Sequence, residues 1–293
     1  MQLATWNVNS LRVRLPHLVD WLAANPVDVI ALQETKLPDP DFPRAELESL
    51  GLEVAFSGQR TYNGVALLAK TALEDVVAGI PGFEDEQRRV IAATVGGVRV
   101  IDVYVPNGQS VGSDKYEYKL RWFDALRAYA AAELARNPQV VILGDFNIAP
   151  EDRDVHDPKA WEGSVHVSES ERAALRALIA TGFEDCFRRF EQPAKSYSWW
   201  DYRMMAFRRN AGLRIDLILA SSALAPKCDA CHIDKSPRRL ERPSDHAPVL
   251  ARFDISRSGR RVEGQMSDFF TLVTCLLALH SGETRGSSRR RKQ

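Results

Sequence analysis

The chain has no excess of charge of either sign: 39 Lys and Arg balance 39 Asp and Glu over 293 residues. A tight, sequence-indifferent nucleic-acid binder is normally basic, so any nucleic-acid surface here has to be a local patch. Long apolar runs are also missing. None reaches the ~18 residues that mark a membrane-spanning helix. The N-terminus lacks the charged segment and apolar stretch of a secretory signal, so the expectation is a cytoplasmic protein with no membrane partner. Cysteine is scarce, at 4 residues. Cys228-Asp229-Ala230-Cys231 has the spacing of half a zinc site, but a structural zinc normally takes a second such hook and none exists. Reduced, incidental thiols are the expectation.

No Pro/Gly/Ser-rich linker and no internal repeat divides residues 1–254, which predicts one domain over that stretch. Residues 255–293 read differently. They are basic, close on Arg289-Arg290-Arg291-Lys292, and space apolar residues from Met266 to His280 as an amphipathic helix would. This reads as a basic C-terminal extension, disordered or carrying one short helix.

Within 1–254, short apolar runs alternate with helical patterns. Leu3–Trp6, Val27–Leu32, 64–69, Val90–Val95, 98–105, 140–143, 213–219 and 248–253 read as strands. Gly96-Gly97 reads as a hairpin turn between two of them. Leu11 to Asn25, Lys119 to Leu134 and Ser168 to Thr181 read as helices, the last with Ser168 as its cap and Gly182 as its stop. The mixture predicts an α/β sandwich with two sheets. Four polar clusters follow or end strand-like runs: Thr5-Trp6-Asn7-Val8-Asn9, Leu32-Gln33-Glu34-Thr35-Lys36, Gly144-Asp145-Phe146-Asn147 and Ser244-Asp245-His246. Strand tips and loops are where a rigid scaffold presents functional groups. Brought together, these clusters supply carboxylates, amides and an imidazole, the kit that a divalent cation and a phosphodiester require.

These clusters, with Tyr62-Asn63-Gly64, Val103-Tyr104-Val105-Pro106-Asn107-Gly108, Ser198-Trp199-Trp200-Asp201-Tyr202-Arg203, Gly212-Leu213-Arg214-Ile215-Asp216 and Pro243-Ser244-Asp245-His246, resemble the exonuclease III family of the endonuclease/exonuclease/phosphatase superfamily. The resemblance covers residues 1 to about 254. It implies a DNase I-like, four-layered α/β sandwich in which two mixed β-sheets pack face to face with helices outside. It also implies a monomeric, Mg²⁺-dependent enzyme (Mn²⁺ substituting) acting on double-stranded DNA. The implied activities are incision 5′ to abasic sites, removal of 3′ blocking groups and 3′-to-5′ degradation. The alternative within the superfamily is a phosphatase or phosphodiesterase of small molecules or lipids.

Site roles follow from the resemblance and from what each residue type can do. Glu34 is expected to be the principal Mg²⁺ ligand, with Asn7, Asp145, Asn147, Asp245 and His246 around the ion, because Mg²⁺ takes few protein oxygens and keeps its waters. Asp145 is the expected general base, and Asn147 the expected amide donor to phosphate or water. His246 is expected to face a non-bridging phosphate oxygen, with Asp216 the family's candidate to orient it and Asp245 the nearer alternative. Tyr104 is expected near the scissile phosphate as phenol or phenolate. Lys36, Asn63, Asn107, Lys119, Trp199, Trp200 and Arg203 are the expected DNA contacts, with one tryptophan wedging beside an unstacked abasic sugar. Some relatives carry aspartate where this chain has Asn9, so less negative charge meets the metal here.

Overall fold

The apolar runs become the central strands of two sheets. In chain order the strands are β1 (Gln2–Asn7), β2 (Val29–Gln33), β3 (Glu53–Ser57), β4 (Val65–Ala69), β5 (Glu74–Ala78), β6 (Val90–Val95), β7 (Val98–Tyr104), β8 (Val140–Asp145), β9 (Phe183–Asp185), β10 (Asp216–Ser221), β11 (Cys228–Ile233) and β12 (Val249–Phe253). One six-stranded sheet has the order β11-β12-β1-β2-β4-β3 and the other β5-β6-β7-β8-β10-β9. Both are mixed: β1 runs parallel to β2 and β7 to β8, and the other pairings are antiparallel. This computed structural model describes residues 1–255. Met1–Phe253 is one compact unit, and the expected basic extension lies outside the described residues.

Helices cover the outer faces. α1 (Leu11–Ala24) lays Leu11, Leu18 and Trp21 against Ala4, Trp6, Ile30, Leu32 and Leu250 of the first sheet. α2 (Arg44–Glu48) adds Leu47 to the same core. α3 (Asp114–Arg136) and α5 (Glu169–Ile179) cover the second sheet with Trp122, Phe123, Leu126, Leu175 and Leu178. A single turn, α4 (Pro158–Trp161), lies between them in the chain. Strands sandwiched between a helix layer and the other sheet are buried on both faces, which is why they read as continuous apolar runs.

The unread strands have a common address. β3, β5, β9 and β11 are the four sheet edges. β5 is almost wholly exposed and β11 buries only Cys228 and Cys231, so neither carries an apolar run. α3 starts five residues before the expected Lys119, because Ser113 caps it by accepting a hydrogen bond from the Tyr116 amide. The run at 213–219 becomes strand only from Asp216. Leu213 instead bridges to Val155 and Trp199.

A polar link joins the sheets beneath the site. Gln33 of β2 donates through Nε2 to Asp102 of β7 at 2.7 Å and to Thr5 of β1 at 2.9 Å, all three fully buried. Because alternate residues share a face, Asn7, two beyond Thr5, also faces the second sheet. Burial pushes Asp102 well above the usual carboxylate range, against the lowering effect of the Gln33 hydrogen bond. Asp102 therefore keeps its proton to higher pH in the folded chain than in the unfolded one, so its contribution to stability falls as pH rises from about 3.9 through the raised folded value. Asp102→Asn keeps an oxygen for Gln33 and removes the titration. The variant is expected to be more stable than wild type at pH 8, by about 1 kcal/mol, with little difference at pH 4. Urea melts at both pH values check this, and a less stable Asn variant at pH 8 contradicts it.

Gly144 lies inside β8. Its φ is +150°, and a Cβ there would sit 1.9 Å from the Val103 carbonyl oxygen. Only glycine lets β7 and β8 approach so closely one residue before Asp145.

Candidate active site

Strand direction gathers the polar clusters. The parallel pair β1/β2 ends on Asn7 and Gln33, and the parallel pair β7/β8 ends on Tyr104 and Asp145. The antiparallel partner β10 begins on Asp216, opposite Asp145, and β12 begins just after His246. One end of the sandwich thus receives Asn7, Glu34 and His246 from the first sheet, and Tyr104, Asp145 and Asp216 from the second.

Asn7 Nδ2 donates to Glu34 Oε1 and to Asp145 Oδ2, each at 2.9 Å, so one amide ties the two sheets' carboxylates together. Asp145 is buried. Its Oδ1 accepts the Asn147 backbone N–H at 2.9 Å, and its Oδ2 lies 3.6 Å from His246 Nε2. On its other nitrogen, Nδ1, His246 meets Asp216 at 2.9 and 3.0 Å, and Ser198 Oγ donates to Asp216 at 2.6 Å. Trp6 Nε1 bonds the His246 carbonyl, and Ser244 Oγ bonds the Asn7 carbonyl.

The electrostatics follow from this crowding. Burial pushes Asp145 up to about 7, aided by Asp216 and Glu34 and opposed by His246 and the Asn7 amide. Burial works against charge on His246, but Asp216 and then Asp145 outweigh it and push the imidazole up to about 10. His246 is thus an imidazolium at neutral pH. Burial and the neighbouring Glu34 carboxylate hold the Tyr104 phenol well above its ordinary value, so it is a hydroxyl and not a phenolate.

Among the described residues, one set of three or more His, Cys, Asp and Glu side chains gathers closely enough to surround an ion: Glu34, Asp145 and His246, with atoms within 4.8 Å of one another. A charged His246 has no lone pair to offer, so the two carboxylates are the ligands and the expected ligand role of His246 is corrected to that of a donor. Carboxylate oxygens beside an amide suit a hard divalent cation, so the residues present fit one. Asp245 is not in the set. Its two oxygens accept from Asn9 Nδ2 at 2.9 Å and Trp199 Nε1 at 3.0 Å. Asp216, not Asp245, orients the histidine. Lys36 pairs with Glu34 Oε2 at 2.9 Å and donates to Asn9 Oδ1 at 2.5 Å. Cys186, Cys228 and Cys231 are free and buried, with no cysteine-lined metal group among the described residues.

Several expected DNA contacts need correction. Lys119 is fully buried inside α3 and paired with Glu171, so it cannot reach a phosphate. Trp200 is fully buried, donates to Asn210 and packs edge-on against Phe207. Asn63 is buried and donates to Gln59, although it borders a groove of about 750 Å³ lined also by Tyr62, Asn107, Gln109 and Lys115. The Asn147 amide is occupied, donating to the Val105 carbonyl at 2.9 Å, and so braces the turn after Asp145. Trp199 and Arg203 do reach a surface pocket of about 310 Å³, with Trp161 and Met204. The sequence reading gave Ser198, which seats Asp216, no role of its own, and did not foresee that the Arg89 guanidinium stacks 4.6 Å above the Tyr104 ring. A serine in an aromatic segment and an arginine between strands carry no local signal of such roles.

The model of the endonuclease/exonuclease/phosphatase family matches residues 4–246. Exodeoxyribonuclease III of Haemophilus influenzae is 37% identical over 266 residues, covering 86% of this chain and 100% of the relative. This chain belongs to the exodeoxyribonuclease III family. Its members hydrolyse phosphodiesters, and the chain is a DNA-repair hydrolase of the exodeoxyribonuclease III and AP endonuclease type. A Neisseria 3′ phosphatase bound to product DNA hairpin superposes with a TM-score of 0.85 and 48% identity, covering 87% of this chain and 99% of that one. An AP endonuclease from Archaeoglobus fulgidus gives 0.84 and 39%, covering 87% and 100%. The small-molecule or lipid phosphatase reading is not favoured by this company. No helix among the described residues is long and apolar enough to cross a membrane.

Proposed function

We propose that this exodeoxyribonuclease III relative is a Mg²⁺-dependent enzyme that clears blocked 3′ ends of duplex DNA and incises at abasic sites. The convergence of Glu34, Asn7 and Asp145 on one side, and of Asp216 and His246 on the other, carries the reading. Of the neighbours described above, the more similar one is a 3′ phosphatase, which supports 3′-end processing as the leading activity. Asp145 takes the proton of the attacking water, aligned by the Asn147 N–H. Glu34 and Asp145 would hold the cation, with the Asn7 amide donating to both carboxylates. When bound, Mg²⁺ supplies positive charge at the phosphate oxygens. His246, kept charged by Asp216, donates to a non-bridging oxygen where negative charge builds up. Tyr104 offers a neutral hydroxyl beside it. Asn107 and Lys36 border the DNA path, and Trp199 with Arg203 lines the pocket proposed for an abasic sugar. Function as a monomer and in the cytoplasm is part of the same proposal.

The test compares duplexes carrying a 3′-phosphate, a recessed plain 3′ end or one abasic site, each with Mg²⁺, Mn²⁺ or chelator. We expect metal-dependent turnover of all three, fastest on the 3′-phosphate. Turnover that persists fully in chelator, or is confined to soluble phosphomonoesters, would overturn the proposal.

A further inference from the structure

A lysine ammonium has three N–H donors and no way to share its charge. Lys119 Nζ places all three. It donates to the Asn147 carbonyl at 2.7 Å, to the Asn107 carbonyl at 3.1 Å and to Glu171 Oε1 at 2.5 Å. Both side chains of the ion pair are essentially without solvent exposure. Glu171 is itself held. It closes the capping box of α5 with Ser168, and its Oε1 also accepts the His166 backbone N–H at 3.0 Å.

A second group works on the same two segments. His166 Nδ1 lies 2.6 Å from the Asn147 carbonyl oxygen, and its Nε2 lies 3.4 Å from the Asn107 amide nitrogen. A carbonyl can only accept, so Nδ1 carries the proton and Nε2 is the acceptor. Burial and the nearby Lys119 push this imidazole down to about 4, consistent with the neutral ring.

The Asn147 carbonyl is thus gripped from behind by two donors, while the N–H of the same residue holds Asp145 in front. Asn147 has φ 50°, in the left-handed region that asparagine tolerates, and these contacts hold it there. Asn107 belongs to the loop that follows Tyr104 and borders the groove. Replacing a buried ion pair by apolar groups often leaves stability unchanged or improved. Stability alone is therefore a poor reason to bury a lysine here.

We propose that Lys119 is a positioning residue: its buried ammonium, neutralised by Glu171, ties the Asn107 loop to the Asn147 turn and so fixes where Asp145 points. The proposal rests on the nuclease reading above, and replaces the DNA contact that the sequence suggested for this lysine.

Three proteins test it: wild type, Lys119→Met, and Lys119→Met/Glu171→Gln. The double variant removes both charges, and glutamine still closes a capping box. Lys119→Met alone is expected to melt lowest, because it leaves Glu171 buried and unpaired, and the double variant to recover most of that loss. On a 3′-phosphate duplex, the folded double variant should lose at least about tenfold in kcat with KM within about twofold of wild type. Hydrogen exchange at the Asn147 amide, followed without DNA, should speed up by at least about tenfold. Wild-type kcat and wild-type protection in the folded double variant would overturn the proposal. So would a rise in KM alone, which assigns Lys119 to DNA, or failure of both variants to fold, which makes it a stability element. If wild type itself turns over no DNA, the nuclease reading fails, and the exchange measurement still decides whether Lys119 sets the turn.

Discussion

Asp145→Asn is expected to lower kcat on a 3′-phosphate or abasic duplex by at least about a hundredfold while leaving the fold intact. Asparagine preserves the shape and the oxygen that accepts the Asn147 N–H. It loses the ability to take a proton and turns an N–H toward the Asn7 amide, which already donates to Asp145 Oδ2. The variant should therefore lose the base, and it should weaken the link between Glu34 and Asp145. Stability should change little, because the gain from replacing a carboxylate that burial holds up to about 7 by a neutral group offsets the lost hydrogen bond from Asn7. The pH profile adds a second check. Without metal, Asp145 keeps its proton until about pH 7, and a bound dication favours the ionised form. The acid limb of the wild-type rate should move to lower pH as Mg²⁺ is raised. That limb should be absent from the asparagine variant. Near-normal turnover by Asp145→Asn removes it as the base.

The second large effect concerns the histidine's partner. Asp216→Asn should cost about a hundredfold in kcat at pH 8, with a smaller deficit at pH 6. His246 owes its charge to Asp216 first and Asp145 second. Removing the larger contribution lets burial pull the imidazole back down, so the variant loses its cation as pH rises through a lower value than the wild type's, about 10. Activity should fall across the neutral range in the variant and hold in the wild type. His246→Ala should match the high-pH loss and show no recovery at low pH. An Asp216→Asn enzyme with a wild-type profile would mean that the ion pair with Asp216 does not tune the histidine.

The sequence was most legible where burial is greatest. Every interior strand announced itself as an apolar run, because each lies between a helix layer and the opposing sheet. The four edges did not, since an edge strand needs neither two apolar faces nor a full ladder of partners. Asn7, Glu34, Asp145, Asp216 and His246, which meet at one end of the sandwich, come from motifs that sit at strand ends. The misplaced residues share a different property. Lys119 and Trp200 are types that commonly meet DNA, yet both are interior. A lysine in a helix carries no local mark of whether a glutamate some fifty residues later will neutralise it. Asn147 shows the same limit at shorter range, because its amide is claimed by the Val105 carbonyl of a neighbouring segment.

The Asn7 amide spans the gap between two independent layers of strands, with a carboxylate from each on either side. Neither layer owns a complete reaction centre, so turnover acts as a caliper of how the layers are registered. A slip of about one ångström at that seam, enough to cost on the order of a hundredfold in rate, would leave strand and helix content unchanged. Cutting rate is accordingly a more sensitive gauge of loosened interlayer fit than any spectroscopic measure of strand or helix content.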